Sequence, residues 1–246
     1  MHNLGVTRSS CQRTHLLQTP DTFIRTTLPG MKSASAIVHA APRIGAAFTQ
    51  YTAEFEAAGV LGPTPGQRFV YVLEGALTAE GNGGARTFAQ GGYVYIPQGV
   101  AHTITATEKS KAVVIEKKHA ALQDIACGAS IFGDTANVAS AALMGDADLQ
   151  VQTLLPDSLE YDFAVNLMSY KPGAALSMVE IHVMEHGLLM LEGGGIYRLG
   201  DSWYPVTAGD FIWMAPYCPQ WFGAIGKTRA KYLIYKDSNR HPLSEV

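Results

Sequence analysis

"YVLEG" at residues 71–75 recurs as "LMLEG" at 189–193, an offset of 118 that superposes Leu73 on Leu191, Glu74 on Glu192 and Gly75 on Gly193. The same offset carries Gly91, which opens "GGYVYIP", onto Gly209, which opens "GDFIWMAP". It also carries "KAVVIEKK" (111–118) onto "RAKYLIYK" (229–236), matching Lys118 with Lys236. One ungapped offset that joins three separate apolar runs marks a tandem duplication. The runs are short, rich in β-branched and aromatic residues, and several are bounded by Gly or Pro, which predicts strands. Helical periodicity is weak throughout; the Ala-rich stretch between 120 and 145 comes nearest to it and reads as a connector. The expectation is an all-β chain of antiparallel sandwiches or barrels. The first unit, with its connector, spans 1–140, and the second spans 141–246.

Composition narrows the function classes. With 246 residues, 47% of them hydrophobic and 16% charged, the chain can bury a full core. A net charge of −3 makes no electrostatic case for nucleic acid or an anionic membrane as partner. No run approaches the length of a membrane span, and "MHNLGVTRSSCQRTHLL" lacks the apolar stretch of a secretory signal. Cys11, Cys127 and Cys218 are odd in number and widely spaced, so a reducing cytoplasm is the expected compartment.

The chemistry concentrates in "MVEIHVMEHG" (178–187), where Glu180, His182 and His186 fall within seven residues. In a strand, residues i and i+2 share a face, so Glu180 and His182 are expected to point together, with Ile181 opposite. Gln220 arrives from a distant strand after "MAPYCP". A carboxylate, two imidazoles and an amide oxygen suit Mn²⁺ or Fe²⁺ with open positions better than a closed zinc site. The duplication provides an internal control: Glu180, His182 and His186 correspond to Gly62, Thr64 and Arg68, and Gln220 corresponds to His102. The first unit has therefore lost three ligand positions, and metal is expected in the second unit only. His102 reads as a satisfied core histidine. Arg68 reads either as a substitute for the metal's charge or as half of an ion pair.

"GGYVYIPQGVAH" (91–102) matches the second cupin motif, G-x5-P-x-G-x2-H. "EIHVMEHGLLMLEG" (180–193) resembles the first motif with its ligand types permuted, and Gln220 replaces the last histidine. The chain thus resembles a tandem cupin, or bicupin, of two jelly-roll β-barrels. The permuted set, with the sequence through 243, is similar to the (S)-ureidoglycine aminohydrolase family. That resemblance is close over 160–243 and looser from residue 16 through the first unit. It implies a manganese-dependent (Mn2+) hydrolase of purine (allantoin) catabolism. Such an enzyme converts a small-molecule substrate, (S)-ureidoglycine, and water to (S)-ureidoglycolate and ammonia.

The resemblance implies Glu180, His182, His186 and Gln220 as metal ligands. It implies Glu180, Lys236 and Tyr232 as catalytic residues, and Glu180, Tyr197, Tyr232 and Lys236 as substrate-binding residues. Alternation in "KYLIYK" (231–236) places Tyr232, Ile234 and Lys236 on one face, with Leu233 and Tyr235 on the other. If that face lines the interior, Lys236 pairs with a substrate carboxylate and Tyr232 hydrogen-bonds or shuttles a proton. Plain packing for the tyrosines and a strand-end position for Lys236 remain open, as do an oxygenase, a decarboxylase or a non-enzymatic ligand-binding cupin. Asn166 and Met178 flank the site in sequence. Unblunted strand edges predict a homo-oligomer.

Overall fold

Turn glycines punctuate the chain where the repeat demands them. Gly75 and Gly193 end equivalent strands with φ of 74° and 62°, a left-handed conformation that other residues rarely adopt. A side chain at Gly193 would also collide with the carbonyl of Arg229. Gly91 and Gly209, with φ of 84° and 92°, open the next matched pair of strands. The computed structural model describes residues 4–81 and 83–240, and among them all regular structure is β apart from three short 3-10 turns. The Ala-rich connector forms the strand Ile131–Asp134, the 3-10 turn Thr135–Asn137 and the strand Ala141–Leu143.

The described chain divides into two units. One runs from Ile24 to Val138 and adds residues from Asp157 to Asp162. Its sheet places Gln67–Glu74 between Gly92–Ile96 and Ser110–Lys117, all antiparallel. Its core packs Val70, Val72, Val94, Ile104 and Val114 with Tyr51, all almost fully buried. The other unit holds 139–156 and 163–238, and it also takes the N-terminal segment up to Phe23. The strand His15–Gln18 pairs with Phe211–Met214 and extends that sheet by one strand. The early residues therefore belong with the second unit, a departure from the 1–140 boundary, because the edge of Phe211–Met214 offers them a hydrogen-bonding partner. In this unit His186–Glu192 lies between Phe211–Met214 and Ala230–Asp237, while Gly194–Leu199 pairs with Gln220–Ala224 in a smaller sheet.

Register tests the duplication. Arg68 pairs with Ile96 as His186 pairs with Met214, and His102 pairs with Gly81 as Gln220 pairs with Leu199, all at the offset of 118. The last strand breaks it. Arg68 faces Glu116, and His186 faces Lys236, an offset of 120. The loop before Ala230–Asp237 is two residues longer than its counterpart before Ser110–Lys117. Lys236 is thus equivalent to Glu116, and the ungapped pairing with Lys118 is corrected.

Candidate functional site

The segment 171–185 is irregular, with only isolated bridges, and this corrects the strand expected around Glu180. Backbone hydrogen bonds to residues 217–220 hold the segment in place. The Glu180 N–H donates to the Gln220 carbonyl at 2.9 Å, and the Gln220 N–H donates back at 3.0 Å. The Tyr217 N–H donates to the His182 carbonyl at 2.8 Å. The alternation survives without a continuous ladder: Ile181 and Val183 face solvent, while Glu180, His182 and Met184 turn inward to a cavity of about 200 Å³.

That cavity collects every residue singled out as ligand or substrate-binding: Glu180, His182, His186, Gln220, Tyr197, Tyr232 and Lys236. Tyr232, Ile234 and Lys236 line it together, as strand alternation requires. Asn166 also lines it, whereas Met178 does not and is 58% exposed. His241 lies outside the described residues.

The donors converge on one point. Nε2 of His182 lies 3.2 Å from Nε2 of His186 and 2.7 Å from the carboxamide nitrogen of Gln220. Half a turn of that carboxamide presents its oxygen instead. The Glu180 carboxylate stands 3.9 Å from His182 Nε2. Adjacent ligands around an ion with bonds of about 2.1 Å sit about 3 Å apart, so the two imidazoles have the spacing of neighbouring ligands. Burial, helped by His182 and Lys236, pushes His186 down to about 3, which keeps its imidazole in the neutral form that metal ligation requires. Among the described residues no three His, Cys, Asp or Glu side chains close into a coordination group by themselves. Gln220 adds an amide to the two imidazoles, 2.7 Å from His182 Nε2.

Beneath the donors lies an aromatic floor that the sequence reading only partly anticipated. Tyr232 and Tyr170 share a hydrogen bond of 2.7 Å between their hydroxyls. Tyr170 and Phe222 meet edge to face at 4.9 Å, and Tyr197 and Phe222 pack at 5.4 Å. Burial raises Tyr197 and Tyr232 well above the usual phenol value, so both remain protonated and serve as hydrogen-bond donors rather than bases. Tyr170 carried no motif that could have revealed it; only pairing with the strand Ala230–Asp237 brings it beside Tyr232. Cys218 is packed in the interior. Trp203 is 56% exposed and Trp213 is buried, and neither lines the cavity.

Lys236 has no carboxylate partner among the described residues, although it lines the cavity. The other unit treats the equivalent position differently. There Arg68 occupies the place of His186, is 3% exposed, and reaches Glu116 at 2.6 Å. Arg68 also donates to the Gly62 carbonyl at 2.8 Å and meets His102 Nε2 at 3.0 Å. His102 Nδ1 meets the Val100 carbonyl at 2.7 Å, so its ring is satisfied at both nitrogens. A guanidinium thus ties together the positions that hold donors in the second unit.

A cupin domain model matches residues 57–116 and 166–235. A rice protein described as a probable (S)-ureidoglycine aminohydrolase is 40% identical over 242 residues, spanning 97% of this chain and 78% of the relative. The chain belongs to the (S)-ureidoglycine aminohydrolase family of cupin proteins. An Escherichia coli member described as (S)-ureidoglycine aminohydrolase is 30% identical, covering 91% of this chain and 88% of its own. The crystal structure of a putative glyoxylate-induced protein from Pseudomonas aeruginosa superposes with a TM-score of 0.88 at 26% identity, covering 97% of this chain and 93% of that one. The two matched cupin regions fall within the two units that carry, respectively, the Arg68 cluster and the donor cavity.

Proposed function

We propose that this chain is a Mn²⁺-dependent (S)-ureidoglycine aminohydrolase whose reaction takes place in the cavity of the second unit. The observation that carries this reading is Lys236, without a carboxylate partner among the described residues, lining the same cavity as two imidazoles, an amide and a carboxylate. Curated plant and bacterial relatives bear that activity in their names. The net reaction breaks the bond from the central carbon to its amino group and forms a bond to a water oxygen. Ammonia leaves, and the ureido group stays intact.

Lys236 pairs with the substrate carboxylate and sets its place in the cavity. Glu180, 3.9 Å from His182, is placed to hold the proton that passes between water and the departing amine. Tyr197 and Tyr232 donate hydrogen bonds from protonated hydroxyls, and Tyr170 holds Tyr232 in place. His182, His186, Gln220 and Glu180 would hold the divalent ion, which when bound supplies Lewis acidity and a fixed template. Oxygen and imidazole donors without any thiolate suit Mn²⁺ or Fe²⁺, and the manganese named here follows the family resemblance.

Three cysteines without disulfides accord with a cytoplasmic setting. Exposed Val179, Ile181, Val183 and Tyr217 in one unit support assembly into a homo-oligomer, which sedimentation at micromolar concentration tests. Incubation with (S)-ureidoglycine and Mn²⁺ under anaerobic conditions tests the activity. Release of one ammonia with (S)-ureidoglycolate is expected. Turnover that requires and consumes oxygen would overturn the hydrolase and favour an oxygenase.

A further inference from the structure

We propose that Asn166 recognises the ureido group of the substrate, by pairing its carboxamide with the terminal –CO–NH₂. Asn166 is 7% exposed and lines the cavity, yet its Oδ1 is buried with no hydrogen-bond partner among the described residues. A buried amide oxygen without a partner loses its hydration and regains nothing, so such an atom in a cavity wall points to a ligand that satisfies it. Asn166 sits on the strand Phe163–Tyr170 opposite Ile234, two residues along from Ala164, which is opposite Lys236. It therefore shares the inward face with Lys236, one pleat away.

The other unit shows what this position does when nothing is to be bound. Its register equivalent is Tyr51, opposite Val114. Tyr51 is 2% exposed, and its hydroxyl donates to Glu116 at 2.9 Å, which fills the space and satisfies the polar atom from within. In the second unit the tyrosine is replaced by a short amide and the glutamate by a lysine. Among the described residues both changes leave a group without a side-chain partner toward the cavity: a cation and a neutral amide.

A carboxylate answers the cation. A neutral amide is answered by a group that offers both N–H and C=O. A ureido terminus does so with two parallel hydrogen bonds, whichever way the Asn166 amide is turned. Asn166 would thus act in binding and specificity, while the bond-breaking groups lie at the donor cluster.

This inference rests on the aminohydrolase reading, and its test separates the two. Binding of N-carbamoylglycine and N-acetylglycine is measured by calorimetry on the Mn²⁺-supplied protein and on Asn166→Ala and Asn166→Ser. The two ligands share the carboxylate and the amide and differ only by NH₂ against CH₃. The unaltered protein should prefer N-carbamoylglycine by about tenfold or more, since the methyl leaves Oδ1 unpaired. Both variants should lose that preference while keeping affinity for N-acetylglycine within a few-fold, and melting temperatures verify that they fold. If either folded variant keeps the full preference, Asn166 is not the recognition residue, and the aminohydrolase reading stands. An unaltered protein that binds neither ligand overturns both.

Discussion

Glu116 and Lys236 occupy the same register position in the two units and carry opposite charges. Glu116 faces Arg68 across its strand pair, and Lys236 faces His186. In the first unit the pair closes at 2.6 Å, and the cluster is neutral within itself. In the second unit Lys236 stands beside an uncharged histidine and has no carboxylate partner among the described residues, which suits the proposed pairing with a substrate carboxylate.

Replacement of Lys236 by Ala should therefore weaken substrate binding. A charge-assisted hydrogen bond contributes about 1.5–3 kcal/mol, so KM should rise roughly 10- to 100-fold. Steady-state ammonia release measures it. An unchanged KM and kcat would remove Lys236 from the site.

The Arg68 cluster should matter to stability and not to chemistry. Arg68→Met strands Glu116, which keeps 22% of its side chain exposed, and the cost should be about 3 kcal/mol. For a chain of this size that lowers Tm by very roughly 10 °C. Arg68→Met with Glu116→Leu should recover much of the loss. Metal content, measured by elemental analysis, should stay at one ion per chain in both variants, whereas His186→Ala should abolish it and Gln220→Ala should weaken it less.

Tyr170→Phe removes the 2.7 Å bond to Tyr232 and leaves ring packing against Phe222 in place. Loss of one neutral hydrogen bond, about 0.5–1.5 kcal/mol, should lower kcat by roughly 2- to 10-fold with little change in KM. Melting curves should show a folded protein. A fall confined to KM would contradict a role in holding Tyr232.

Acid should destabilise the protein through His39. Burial pushes this histidine down to about 3, and its Nε2 lies 2.8 Å from the Thr52 hydroxyl. Between pH 6.5 and about 3 the unfolded chain binds a proton that the folded chain does not, so stability falls as pH falls across that window. The slope approaches about 1.4 kcal/mol per pH unit for this one group. Denaturant titrations from pH 7 to pH 5 should show a shallower fall for His39→Gln than for the unaltered protein.

The sequence by itself determined the duplicated β architecture and the turns at Gly75 and Gly193, and it singled out Glu180, His182 and His186 as candidate donors by their spacing. Those features are written in residue types and their spacing: a repeat shows as matched residues at one offset, and a positive φ selects glycine wherever it occurs. Strand alternation likewise placed Tyr232 and Lys236 on one wall before any pairing was known. Only the tertiary structure decided what depends on partners distant in the chain. The two-residue shift that equates Lys236 with Glu116 arises in a loop, where length changes leave no periodic trace. Tyr170 and Asn166 join the site because the strand Phe163–Tyr170 pairs with Ala230–Asp237, and neither lies in a motif. The segment 171–185 reads as alternating yet is held by single bridges to residues near 220, and the strand His15–Gln18 completes a sheet whose other strands lie far along the chain. Hydrogen-bond pairing between remote strands is a property of the folded backbone, and it sets which side chains share a cavity.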